Sequence, residues 1–149
     1  MSCLRRTDRE IPRENENYLS IVFDTEALLI FYLDEPGATK VQSYLERVQR
    51  GEINGYLNVV NLTEFVYIVQ RRDPHTAEEK ERHLRAFGLE IVSVVDNEIW
   101  RTAANYKAEH ALSLADAFAA ATAKIKRAGL AVGRDEEYNQ LDVSLVKLE

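Results

Sequence analysis

The hydrophobic positions of this chain change period repeatedly, and the changes mark out strands alternating with helices. Leu19-Ser20-Ile21-Val22-Phe23 is a short apolar run of the kind found in a buried strand. Thr25 to Leu33 is apolar on most sides and stops at the turn cluster Asp34-Glu35-Pro36-Gly37. Val41, Tyr44, Leu45 and Val48 recur at three- and four-residue spacing, predicting a helix closed by Gly51. Ile53 to Val60 reads as a strand. Asn61 to Arg72 reads as a helix with Leu62, Phe65, Val66 and Val69 on one side, broken at Asp73-Pro74. A helix over Ala77 to Phe87, a β-branched strand over Glu90 to Val95 and a helix over Asn97 to His110 follow. A small-residue helix from Ser113 to Ala128, stopped by Gly129, leads to Leu130-Ala131-Val132 and a last strand over Val143 to Leu148. Strands alternating with helices imply a parallel sheet covered on both faces, an α/β class fold arranged as a three-layer α/β/α sandwich.

Residues 1–17 are charged, aperiodic and include Pro12, so they are expected to form a flexible N-terminal tail ahead of one domain over residues 18–149. At 149 residues the chain holds one ordinary domain. The longest apolar run, Ala27 to Leu33, is far short of the roughly 20 residues of a membrane span. No apolar signal core precedes it, and the lone Cys3 excludes an internal disulfide, so a cytoplasmic location without membrane contact is expected. The 19 basic and 25 acidic residues give a formal charge of −6. That balance disfavours polyanion binding unless bound cations reverse it locally, as they do where acidic residues hold metal ions.

Four acids fall at equivalent places in the alternation. Asp24 ends the first strand, Glu64 lies in the first turn of the helix after the second, Asp116 lies in the first turn of the Ala-rich helix, and Asp135 follows Leu130-Ala131-Val132. Open α/β sheets bind ligands outside the carboxyl ends of their strands. Converging carboxylates repel, by roughly 4 kcal/mol for a pair about 4 Å apart at an effective dielectric near 20, so they either hold protons or recruit cations. An oxygen-only donor set suits Mg²⁺ or Mn²⁺.

Each acid also has a plainer explanation. Asn61-Leu62-Thr63-Glu64 and Ser113-Leu114-Ala115-Asp116 fit helix-capping patterns, Asp24 fits a turn, and Asp135 sits in a charge run. His75, His83 and His110 have no metal-ligand spacing and read as surface or helix-end residues. Arg71, Arg72, Lys80, Arg82, Arg85, Lys107, Lys124, Lys126, Arg127 and Arg134 are the basic positions available to a phosphate backbone, and most read as solvated helix faces. Tyr32, Tyr44, Tyr67 and Trp100 fall at core spacing and are expected to pack. A phosphotransferase with a strand-end nucleophile would want Asp-x-Asp, whereas Asp24-Thr25-Glu26 offers Glu and no Gly-rich phosphate loop is present. A receiver domain would need a phosphoacceptor at a later strand end, which is not found.

From Leu19 to Leu148 the chain resembles PIN-domain ribonucleases, and within them the VapC-type toxins of prokaryotic toxin–antitoxin pairs. Leu112-Ser113-Leu114-Ala115-Asp116-Ala117-Phe118-Ala119-Ala120-Ala121-Thr122-Ala123 looks like the family's third-acid motif almost letter for letter. Val22-Phe23-Asp24-Thr25 resembles the first-acid motif and Asn61-Leu62-Thr63-Glu64 the second. Two departures stand out. Glu26 follows the first Asp-Thr pair where a small or polar residue is usual. In Val132-Gly133-Arg134-Asp135-Glu136-Glu137-Tyr138, Arg134 stands where Gly is usual in the fourth motif. The resemblance implies an endoribonuclease that hydrolyses RNA with Mg²⁺ (or Mn²⁺) held by Asp24, Glu64, Asp116 and Asp135 as metal ligands and catalytic residues. It also implies a cognate antitoxin protein as partner and a homodimer. The alternatives are a catalytically weakened PIN scaffold that binds RNA or protein, and a non-toxin RNA-processing nuclease.

Overall fold

A computed structural model describes residues 19–133 and 136–148. The elements run β1 (Ser20–Phe23), α1 (Thr25–Tyr32), α2 (Ala38–Gln49), β2 (Asn54–Asn58), α3 (Val59–Arg72), α4 (Ala77–Ala86), β3 (Glu90–Val92), α5 (Asn97–Glu109), α6 (Leu114–Lys126), β4 (Gly129–Val132), a 3-10 turn (Glu137–Gln140) and β5 (Leu145–Lys147). Among the described residues the four strand pairings are all parallel, in the order β3-β2-β1-β4-β5. The chain therefore builds outward from β1 to one edge, then returns to the other side of β1 with β4. That reversal makes the carboxyl end of β1 the topological switch point, the place where open α/β sheets bind ligands.

The pleat sorts the core into two halves. Ile21 and Phe23 of β1, with Ala131 of β4, face the cluster built with Leu28, Leu45 and Phe65 from α1 to α3. Val22, Leu130 and Val132 face the opposite way, onto Ile99, Tyr106, Ala120 and Tyr138 from α5, α6 and the 3-10 turn. Helices on both faces of a parallel sheet give the three-layer sandwich the sequence pattern implies. α6 is buried along Ala115, Ala117, Ala119, Ala120, Ala121, Thr122 and Ala123, small side chains that let the helix lie close to its neighbours. No helix among the described residues is long and apolar enough to cross a membrane.

Several boundaries differ from the pattern-based reading, each for a local reason. β2 stops at Asn58, because Asn58 caps α3: its side chain accepts from the Val60 N–H at 2.9 Å and donates to Thr122 Oγ1 at 2.9 Å. Asn61 is consequently inside the helix, and Glu64 lies in its second turn, too far along to complete a capping box. β3 ends at Val92, leaving Val95 exposed. α6 ends at Lys126 with Arg127 in the left-handed conformation (φ 55°), and Gly129 opens β4 instead of stopping the helix. Tyr67 and Trp100 are about two-fifths exposed, with Arg71 and Arg101 over their rings, so they are not the packing residues their spacing predicts. The expected tail over residues 1–17 lies outside the described residues.

Candidate active site

Asp24 immediately follows the central strand and is 1% exposed. It is the N-cap of α1, with Oδ1 accepting the Ala27 N–H at 2.8 Å. One of its oxygens therefore caps a helix, where the plainer explanation expected a turn, and Oδ2 is left to be accounted for. Asp116 sits in the first turn of α6. Ser113 caps that helix by accepting the Asp116 N–H at 3.1 Å, while the Asp116 carboxylate points elsewhere.

Both carboxylates meet at one atom. The Tyr138 hydroxyl lies 2.9 Å from Asp24 Oδ2 and 2.9 Å from Asp116 Oδ1. Tyr138 is fully buried, held in the core face formed with Val22, Leu130 and Val132, so its ring fixes where the hydroxyl stands. One phenolic proton serves two acceptors, and among the described residues no Lys or Arg is ion-paired to either acid. Burial pushes the Asp24 carboxyl up to about 7, opposed by the Ala27 and Tyr138 hydrogen bonds and reinforced by the charges of Asp116 and Glu26. The same burial, with the two aspartates, drives the Tyr138 phenol far above its ordinary range, so it remains a donor.

A buried network ties the acid-bearing elements together. Asn61, fully buried, donates from Nδ2 to Thr25 Oγ1 (3.3 Å) and to the Ala115 carbonyl (3.2 Å), joining the residues that follow Asp24 and precede Asp116. Its Oδ1 is buried and has no hydrogen-bond partner among the described residues. Glu26, the extra acid of the first motif, is half-buried and accepts the Gly133 N–H at 3.2 Å, linking α1 to the end of β4. A Cβ on Gly133 would stand 2.7 Å from Glu26 Oε1, so a side chain there would require the Glu26 carboxylate to shift.

Of the four predicted acids, Asp24 and Asp116 come together through Tyr138. Glu64 is half-buried on α3. Asp135, with Arg134, lies outside the described residues. Among the described residues no group of three or more His, Cys, Asp or Glu is gathered tightly enough to hold a metal ion. The donor chemistry of the pair still fits a hard divalent cation: two carboxylate oxygens share a single internal donor and, among the described residues, no cationic side chain. Sequence reasoning missed Tyr138. Its position beside the fourth acidic segment was the available signal, but an aromatic residue there reads first as core.

A family model described as the PIN domain matches residues 21–144. The chain belongs to the PIN domain family. No curated protein matches the sequence. Among solved structures, this PIN domain is similar to VapBC2 from Rickettsia felis bound to a DNA fragment from its promoter (TM-score 0.69, 13% identity, covering 86% of this chain and 98% of that one). It is also similar to FitAcB from Neisseria gonorrhoeae (TM-score 0.66, 20% identity, 86% and 97%). A third is VapC20 of Mycobacterium tuberculosis, a sarcin-ricin-loop-cleaving toxin (TM-score 0.63, 16% identity, 85% and 98%). At these identities the likeness establishes the shared fold.

Proposed function

We propose that this PIN domain is a divalent-metal-dependent endoribonuclease that hydrolyses RNA phosphodiester bonds and acts in the cytoplasm as the toxin of a VapBC-type pair. The observation that carries the chemistry is the meeting of Asp24 and Asp116 at the switch point of the sheet, with one phenolic proton between them. In this reading Asp24 Oδ2 and Asp116 hold Mg²⁺ or Mn²⁺, and Glu64 and Asp135 complete the site. When bound, such an ion lowers the pKa of a water and stabilises charge on the phosphoryl group. The protein's own part is to fix the two carboxylates: α1 and its Ala27 N–H orient Asp24, and Ser113 and the α6 first turn orient Asp116. Asn61 keeps the two elements in register.

The toxin role draws support from neighbours solved as toxin–antitoxin assemblies, and the RNA substrate from VapC20. A protein antitoxin as partner and a homodimer go with that role.

Purified protein is expected to cut single-stranded or loop RNA with Mg²⁺ or Mn²⁺ and to stop in excess chelator. Cleavage at full rate in chelator would remove the mechanism. RNA binding without cleavage under any metal would favour a binding scaffold instead. Growth arrest on expression of the wild type, but not of Asp24→Asn, is the expected cellular result; equal arrest by both would count against a nuclease cause.

A further inference from the structure

The Tyr138 hydroxyl takes up both carboxylates of the pair that the proposed activity needs for metal. At Asp24 the overlap is direct. Oδ1 is committed to the Ala27 N–H, so Oδ2, the oxygen bonded to Tyr138, is the one left to face a ligand. At Asp116 the phenol takes Oδ1. The hydroxyl is not a mobile tip that swings aside on its own. Tyr138 is fully buried in the α5–α6 half of the core. Its turn is pinned further on by Lys147 Nζ to Asn139 Oδ1 (3.1 Å) and by the Tyr106 hydroxyl to Asp142 (2.7 Å).

We propose that Tyr138 is a built-in competitor for the metal: a positioning residue that holds Asp24 and Asp116 together in the metal-free protein and lowers their affinity for a divalent cation. The proposal rests on reading the pair as the metal site. A donor on a carboxylate is worth most when that carboxylate carries its full negative charge and least when a cation already neutralises it. The hydroxyl therefore stabilises the metal-free state more than the metal-bound state. By linkage, that difference is subtracted from the binding free energy of the metal. A phenolic donor also withdraws charge from the oxygens that would act as ligands. The consequence is a site assembled before metal arrives, with an affinity set below what its two aspartates alone would give.

Calorimetric titration of Mn²⁺ into wild type and Tyr138→Phe tests this without reference to RNA cleavage. The Phe ring keeps the buried volume and removes only the hydroxyl. Tyr138→Phe is expected to bind Mn²⁺ about tenfold more tightly, and its metal-free melting temperature is expected to fall below wild type. Equal or weaker Mn²⁺ binding by the Phe variant overturns the proposal while leaving the metal site standing. Absence of Mn²⁺ binding by both proteins overturns the proposal and the metal-site reading together. If the variant is unfolded without metal, recovery of the wild-type melting temperature at saturating Mn²⁺ supports the proposal. Failure to fold at saturating Mn²⁺ overturns it, because the hydroxyl is then needed even when a cation is available.

Discussion

An aspartate–tyrosine arrangement stands beside each end of helix α6, and the two are solved in opposite ways. At the far end, Asp142 accepts from the Tyr106 hydroxyl at 2.7 Å and pairs with Lys124 Nζ at 2.6 Å. The Lys124 and Tyr106 hydrogen bonds hold that carboxyl below its usual range. At the near end, Asp24 and Asp116 share one tyrosine hydroxyl with no cationic side chain among the described residues, and burial pushes Asp24 up to about 7. The first cluster is complete as it stands, half-exposed and internally neutralised. The second is largely buried and, among the described residues, has no ion-paired Lys or Arg. Among the described residues a lysine stands against the aspartate at one end of the helix and a tyrosine hydroxyl alone joins the two aspartates at the other.

The largest expected effect that sharpens this contrast is on activity. Asp116→Asn keeps a side chain able to hydrogen-bond to Tyr138 but loses a ligand charge. Cleavage is expected to fall by at least about 100-fold, since even outer-shell changes at metal sites cost about 10- to 100-fold. Circular dichroism should stay unchanged. Retention of full activity would return Asp116 to a helix-terminus role.

The next effect is on stability against pH. The folded-state value of Asp24 lies above its unfolded value of 3.8. Its contribution is therefore fully present below about pH 4 and is lost as pH rises through 7, up to about 4 kcal/mol across that window. Metal-free wild type should show this decline in chemical denaturation, and Asp24→Asn, which keeps the cap on Ala27, should flatten it. A variant with the same slope as wild type would show that Asp24 is not the group responsible.

Gly133→Ala comes third. The new methyl meets Glu26 Oε1 and Ile30, costing about 1–3 kcal/mol as overpacking. Denaturant midpoints report it, and an unchanged midpoint would mean that the Glu26 side chain yields freely. The smallest effect is at the complete cluster. Asp142→Asn breaks a half-exposed pair and should change stability by no more than about 1 kcal/mol, with cleavage unchanged. A large loss of activity there would erase the distinction between the two ends of α6.

The alternation of apolar runs made the parallel sheet and its two helical layers legible, because buried strands and amphipathic helices leave different periods. Asp24 and Asp116 were legible for a related reason: each sits where a strand or loop turns into a helix, a position fixed by local pattern. Tyr138 was not. Its hydroxyl acts on Asp24 across 114 positions of sequence, and nothing local distinguishes a tyrosine that only packs from one whose buried oxygen joins two carboxylates. The Asn58–Asn61 region failed on a finer point. Both residues are competent caps, and the choice was made by Thr122, a partner on α6 that bonds Asn58. Tyr67 and Trp100 show the converse error, in which helical spacing predicted burial but no element among the described residues covers the face.

The claim on which the rest depends is that Asp24 and Asp116 form a divalent-cation site. Calorimetric titration of Mn²⁺ into wild type and Asp116→Asn at neutral pH measures it directly. Saturable binding by the wild type and its loss in the variant are expected, with both proteins folded. Equal binding by the two, or none by the wild type, would contradict that claim.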